Sequence, residues 1–280
     1  MVTHDSWVTP GQLVTEGGRV TDGGWCARAG MFHSVLTSFA GAEIFGESYG
    51  TGTPGILALH GWRRDHRDFT ATLTSPAGAL DSIAVDLPGF GGTPAPEEVW
   101  GSARYAEALI PVLEHMQRRV VVIGHSFGGR VGVHLAAIAP ERVAGLVLTG
   151  VPLFRTTPLA RPPFRFRAVR QLAKKGLVSE ARLERHRQRY GSADYKAATG
   201  VMRGILVTVL AEEYSDVLAK VSCPVELVWG DDDTEAPLAV AERIHEAVPN
   251  SHLVVCEGAG HLTPMTVPGE LRAAIERLGP

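Results

Sequence analysis

The stretch Val120-Val-Val-Ile-Gly-His-Ser-Phe-Gly-Gly129 decides how the rest of the chain is read. Its first four residues are apolar and three are valines, the composition of a buried strand. Gly124-His-Ser-Phe-Gly128 then fits G-x-S-x-G, and Arg130 to Ala139, rich in Val, Ala and Leu, reads as a helix that stops before Pro140. Strand, tight turn and helix in that order give the motif a mechanical meaning. A serine on so sharp a turn sits in strained backbone, and flanking glycines let neighbouring backbone pass without a Cβ clash. The Ser126 hydroxyl is then expected above the carboxyl end of a sheet. The Phe127 N–H lies beside it, at a helix start where anions are stabilised.

Upstream, Val35 to Tyr49 reads as a hairpin turning at Gly41, Ile56-Leu-Ala-Leu59 as a buried strand ending in His60-Gly-Trp62, and 66–74 as a short helix. Ser82-Ile-Ala-Val85 is the next strand, followed by the Gly- and Pro-punctuated loop Asp86-Leu-Pro-Gly-Phe-Gly-Gly-Thr93 and a helix over 102–117. Downstream, Leu146–Thr149, Val225–Trp229 and His252–Cys256 read as strands, with helices over 238–247 and 269–278. Strands alternate with helices and are mostly apolar throughout. That predicts an α/β fold with a mostly parallel, about eight-stranded doubly wound sheet covered on both faces. In such sheets sites collect at the carboxyl ends of the strands. Residues 153–220 break the rhythm. They carry no strand signal and read as helices over 165–175, 179–190 and 193–216, a helical cap inserted into the sheet domain. The expected organisation is an N-terminal extension over 1–34, a core in two parts (35–152 and 221–280) and the cap over 153–220. Residues 1–30 are polar and glycine-rich, read either as an accessory arm or as a segment docked through Trp7 and Trp25.

The chain has 280 residues, 45% of them hydrophobic, enough to bury a large core. A net charge of −3 does not point to a nucleic-acid partner, and no apolar run approaches the roughly 20 residues of a membrane span. Cys26, Cys223 and Cys256 are odd in number and share no metal-ligand spacing, so a reduced, cytoplasmic protein is expected, and no metal or cofactor. The Gly-rich loop over 89–92 lacks the G-x-G-x-x-G setting of a dinucleotide site.

A serine nucleophile needs a base, and the base needs an acid to orient it. Trp229-Gly-Asp-Asp-Asp-Thr-Glu-Ala-Pro237 offers four carboxylates after one apolar strand, and Gly258-Ala-Gly-His261 follows the last strand. Both are loops, where functional groups are commonly carried. The motifs His60-Gly-Trp62, Asp86-Leu-Pro-Gly-Phe-Gly91, Gly124-His-Ser-Phe-Gly-Gly129, Trp229-Gly-Asp-Asp-Asp233 and Gly260-His261 stand in that order, each after an apolar strand. Over about 35–278 the chain resembles the α/β-hydrolase fold superfamily, in its serine-nucleophile branch with a helical cap. The resemblance implies Ser126 as nucleophile, His261 as base and Asp233 as acid. Asp233 stands three residues after Gly230, with Pro237 four later, the offsets usual in the family. It implies an oxyanion hole made by the backbone N–H groups of Trp62 and Phe127, and structural duties for His60, Asp86 and His125. Some members carry the acid after the sixth strand, where this chain has Thr149-Gly-Val151.

The expected activity is a cofactor-independent serine hydrolase acting on a small or medium carboxylic ester through an acyl-enzyme. C–C bond, thioester or amide hydrolysis and perhydrolysis remain open on the same residues, as does a ligand sensor with a vestigial site. Phe90, Phe154 and Phe164 are candidates for the wall of an acyl pocket. Residues 155–189 hold eleven Arg or Lys against Glu180 and Glu184, a balance of +9. This reads first as a solvated helical surface that is basic; the sharper alternatives are an anionic small-molecule substrate, which Arg63, Arg64 and Arg67 also suit, and attachment to an acidic surface, membrane or partner.

Overall fold

The computed structural model describes residues 34–155 except 77, residues 193–279, and positions 169, 171–173, 177–179, 181–182 and 184–185. The chain divides at Met31/Phe32, and the unit Phe32–Pro280 carries everything described below. Its strands are β1 (Ser34–Phe39), β2 (Ile44–Tyr49), β3 (Ile56–Leu59), β4 (Ser82–Val85), β5 (Val120–His125), β6 (Val143–Thr149), β7 (Val225–Gly230) and β8 (Ser251–Cys256). They form one sheet in the order β1-β2-β4-β3-β5-β6-β7-β8. β2 runs antiparallel to both β1 and β4, and every pairing from β4 onward is parallel.

The central strands β3 to β7 are mostly apolar because both faces of the sheet are covered there, whereas β1 and β8 at the edges are partly exposed. Leu57, Leu59, Val122, Leu146, Leu148 and Leu227 belong to the core on one face. There they meet α2 (Ser102–Ala108), α3 (Ile110–His115), α4 (Phe127–Ile138) and α8 (Leu238–Ala247) through Tyr105, Leu113, Val131 and Ile244. The alternate residues Ile56, Ala58, Val121, Ile123, Val147 and Val228 face the other way. Phe69, Leu271 and Ile275 cover them, from the turn before α1 (Thr70–Leu73) and from the C-terminal helix Pro268–Leu278. Each such side chain contributes about 1.5–3 kcal/mol on burial.

Two expected helices are interrupted, each for a local reason. The helix over 102–117 divides at Leu109 into α2 and α3, because Pro111 has no N–H to give to Glu107. The helix over 193–216 divides into α5 (Ala193–Ala197), α6 (Gly200–Ala211) and α7 (Ser215–Leu218). Gly200 takes φ +50°, and Glu212 leaves the helix to accept the Ser102 N–H at 2.8 Å and the Tyr214 hydroxyl at 2.5 Å. These bonds tie the segment between β6 and β7 to the first turn of α2. Of the helices expected over 165–175 and 179–190, positions 169, 171–173, 181–182 and 184–185 are helical, position 179 is not, and the others lie outside the described residues. Two short elements complete the chain order, α9 (Thr263–Thr266) and α10 (Pro268–Leu278). No helix among the described residues is long and apolar enough to cross a membrane.

Packing is close where β5 turns into α4. A Cβ at Gly128 would stand 2.1 Å from the Leu59 carbonyl oxygen, and one at Gly124 2.5 Å from the Gly129 Cα. Both obstacles are backbone and have little room to give. At Gly132 the nearest atom is the Leu146 Cδ1 at 3.3 Å, which can shift. Gly128→Ala and Gly124→Ala are each expected to destabilise the fold by about 1–3 kcal/mol. Gly132→Ala is expected to be near neutral, its overpacking offset by the helix preference of alanine. Urea unfolding midpoints of the three variants check this order.

Candidate active site

Ser126 occupies the corner between β5 and α4 with φ +50° and ψ −111°. A non-glycine residue in this region carries strain of about 1–3 kcal/mol, held here by surrounding packing. Its N–H donates to the Thr149 carbonyl of the neighbouring strand at 3.0 Å, and its carbonyl accepts the Arg130 N–H at 3.3 Å. The backbone is thus fixed on both sides while the side chain lines a cavity of about 340 Å³.

Three further loops at the same edge of the sheet, those after β3, β7 and β8, reach this cavity. His60-Gly-Trp62 leaves the end of β3. His60 is fully buried, accepts the Leu87 N–H on Nε2 at 2.9 Å and donates from Nδ1 to the Gly61 carbonyl at 2.7 Å. Burial lowers its pKa, so it is a neutral brace between the ends of β3 and β4. Among the described residues, neither the Trp62 nor the Phe127 backbone N–H has an acceptor, and both residues line the cavity. Phe127 is the first residue of α4, where an N–H has no partner within the helix.

His261 and Asp233 come from the loops after β8 and β7. His261 Nδ1 donates to Asp233 Oδ2 at 2.8 Å. The other carboxylate oxygen, Oδ1, accepts the N–H groups of Glu235 and Ala236, each at 2.8 Å. Asp233 is buried, whereas Asp231 and Asp232 are exposed, and Asp231 caps the Gly258 N–H at 2.7 Å. A Cβ at Gly150, after β6, would stand 3.1 Å from the His261 ring and 3.2 Å from Asp233 Oδ2. The residue there is glycine, so the His261–Asp233 pair has the space. Burial opposes a charge on His261, but the Asp233 hydrogen bond and charge, with Glu235, outweigh it and hold the pKa above the ordinary histidine value. Glu235 Oε2 stands 3.5 Å from His261 Nε2. Ser126 and His261 line the same cavity, and no hydrogen bond joins Ser126 Oγ to His261 Nε2 in this structure.

The neighbouring polar groups have structural partners. His125 is buried and donates from Nε2 to the His261 carbonyl at 2.9 Å. Burial, and then the His261 charge, push its pKa down to about 3. Asp86 accepts the His66 N–H, His66 Nδ1 and the Gly92 N–H at 2.8–2.9 Å and so holds the loops after β3 and β4. Asp65, His66 and Asp86 bring possible metal-ligand atoms within 4.8 Å of one another. Each already has a partner within the protein, Asp86 and His66 as above and Asp65 by the Arg67 guanidinium at 2.6 and 2.9 Å.

The aromatic candidates fall elsewhere than expected. Phe90 is buried with its ring edge-to-face on Trp62 at 4.9 Å and supports that residue without lining the cavity. Phe154 lies under the Arg243 guanidinium at 4.4 Å, in a separate depression beside Ser215 and Leu218. Phe164 lies outside the described residues. The apolar wall comes instead from Leu206, Val209 and Leu210 of α6, with Pro152 and Leu262. The arginines beside Trp62 are all paired: Arg63 with Asp194 at 3.3 Å, Arg64 with Asp68 at 2.5 Å and Arg67 with Asp65 at 2.6 Å. Arg130 and Glu235 also line the cavity; Glu235 is one of the four carboxylates noted after β7, whereas Arg130 did not stand out in the sequence. The spacing of Arg130, one helical turn after Ser126, was the signal available for it.

Comparison with known proteins agrees with this architecture. The alpha/beta hydrolase family matches over residues 56–274. A pimeloyl-[acyl-carrier protein] methyl ester esterase of Aromatoleum aromaticum is 30% identical over 252 residues, covering 80% of this chain and 97% of the relative. An uncharacterized hydrolase, YugF, of Bacillus subtilis is 27% identical over 248 residues, covering 80% and 89%. Among solved structures, a thermophilic esterase from Thermogutta terrifontis superposes with a TM-score of 0.61 at 24% identity, covering 88% of this chain and 97% of that one. A serine hydrolase involved in carbazole degradation superposes at 0.62 and 20%, covering 88% and 98%. With the strand order, the elbow at Ser126 and a family match over most of its length, the chain belongs to the alpha/beta hydrolase family and is a hydrolase of that fold.

Proposed function

We propose that this hydrolase cleaves carboxylic esters of small or medium acyl groups through an acyl-enzyme, with Ser126, His261 and Asp233 as its triad. The observation that carries the reading is the convergence of the Ser126 turn and three loops on one cavity: a strained serine, two free N–H groups and a histidine bonded to a buried carboxylate. The ester class is supported by the name of the Aromatoleum relative and by a cavity of about 340 Å³, near the lower end of ligand-pocket volumes.

In this mechanism His261 Nε2 takes the Ser126 proton as Oγ attacks the acyl carbonyl. The imidazole has to close on Ser126 for that transfer, a contact that often tightens only when substrate is bound. Asp233 holds the proton-bearing Nδ1 in place and stabilises the imidazolium. The Trp62 and Phe127 N–H groups receive the oxyanion, and each such donor is worth about 10²–10³ in kcat. The imidazolium protonates the leaving alcohol, and a water activated by the same histidine then releases the acid. The segment 153–220 acts as a cap whose α6 residues supply the apolar wall of the acyl site.

Ser126→Ala and His261→Ala are each expected to lower kcat on the order of 10⁶-fold, and Asp233→Asn on the order of 10⁴-fold. Each variant should keep the wild-type circular dichroism spectrum, and steady-state hydrolysis of nitrophenyl esters reads the loss. The pH profile gives a second test. The base works only when neutral, so kcat/KM is expected to fall as pH drops through a pKa above the ordinary histidine value. Asp233→Asn removes the carboxylate hydrogen bond and charge and leaves burial in control, so its residual activity should fall at lower pH than wild type. Glu235→Gln should move the limb the same way by less.

A further inference from the structure

Arg130 is a buried cation that the proposed chemistry leaves without a task. Its side chain is 7% exposed, and it lines the cavity that holds Ser126. Nη1 donates to the Val209 carbonyl at 2.5 Å, Nη2 donates to the Pro152 carbonyl at 2.8 Å, and the guanidinium lies over the Tyr214 ring at 5.3 Å. Val209 and Pro152 line the same cavity, so the guanidinium is part of its wall. Two of its five N–H donors have acceptors among the described residues. Among the described residues no carboxylate pairs with it. Glu212, joined to it through Tyr214, is bound to the Tyr214 hydroxyl and the Ser102 N–H instead. A buried charge without a counter-charge is costly. Two carbonyls and a ring solvate it in part, and among the described residues nothing neutralises its charge.

We propose that Arg130 binds a carboxylate carried by the substrate, and that the enzyme's substrates are monoesters of short dicarboxylic acids. This rests on the serine-hydrolase reading above and narrows it. The other positive groups around the cavity are already matched: Arg64 by Asp68 in a two-toothed pair, and His261 by Asp233. Planar guanidinium and carboxylate are complementary in shape as well as charge. Ser126 and Arg130 are one helical turn apart, about 6 Å along the axis of α4, so a short chain links the two sites. The charge belongs on the acyl side. The leaving alcohol has to lie against His261 Nε2, and Glu235 Oε2, 3.5 Å from that nitrogen, repels an anion there. Glu235 and Asp194, the acids on the cavity wall, are more than 45% exposed, and Asp194 is paired with Arg63. Solvent screens both more than it screens Arg130.

The test compares kcat/KM for nitrophenyl hydrogen adipate and nitrophenyl hexanoate in wild type and Arg130→Met. Wild type is expected to favour the charged ester by about ten- to hundredfold, the scale of a charge-assisted hydrogen bond. Arg130→Met should lower that ratio at least tenfold. A merely structural clamp between Pro152 and Val209 would depress both esters alike. An unchanged ratio in the variant, or no preference in wild type, overturns the proposal. Should Arg130→Met fail to fold, inhibition of wild type decides. Free adipate should compete with the hexanoate ester at a concentration at least tenfold below that of free hexanoate, and equal potency overturns the proposal. Turnover of neither ester by wild type would instead defeat the hydrolase reading itself.

Discussion

At Ser126 the chain takes a φ of +50°, and the site is built on keeping it there. The backbone is pinned from β6 through the Thr149 carbonyl and from α4 through the Arg130 N–H. The flanks can approach this closely only because residues 124 and 128 have no Cβ; at Gly128 one would run into the carbonyl oxygens of Leu59 and His60. One turn therefore fixes the serine, frees the Phe127 N–H and sets the distance between β3 and α4. The same approach brings Trp62 beside Phe127, ring centroids 5.4 Å apart. The conformational strain is balanced by a sheet core that does not depend on the site.

Three buried or half-buried histidines lie within this edge of the sheet, and their surroundings divide the work. His60 and His125 lose the competition with burial and stay neutral, each spending its ring on backbone groups. His261 faces two carboxylates, and these outweigh burial. A group that holds loops must not change charge in the working range, whereas a general base must be able to accept a proton and keep it briefly. That His125 donates to the His261 carbonyl links the two roles: an uncharged ring supports the backbone of the titrating one.

Much of this was legible in the chain. Strands buried on both faces read as unbroken apolar runs, so β3 to β7 could be found without a periodic signal. The elbow was legible because glycines at 124 and 128 have a steric reason. Resemblance to the family singled out Asp233 from Asp231 and Asp232 by its offset from Gly230, and of the three it is the one that is buried and bonded to His261. What escaped depends on contacts between distant elements. The break at Glu212 follows from its bond to Ser102, which is 110 residues away. The rings of Phe90 and Phe154 were legible as aromatic, but not the side of the loop on which each would pack. Arg63, Arg64 and Arg67 looked like free positive charge beside the site because their partners, Asp194, Asp68 and Asp65, are assigned only by the fold. Arg130 looked like one more position on a helix, and what marks it is that no carboxylate pairs with it among the described residues.

The central claim is that the Ser126 hydroxyl is activated by the histidine that shares its cavity. Intact-mass measurement after treatment with a fluorophosphonate tests it most directly, on wild type and on Ser126→Ala. The account predicts one adduct on wild type and none on the variant. A folded wild type that takes no adduct, or a variant that takes the same one, would contradict it.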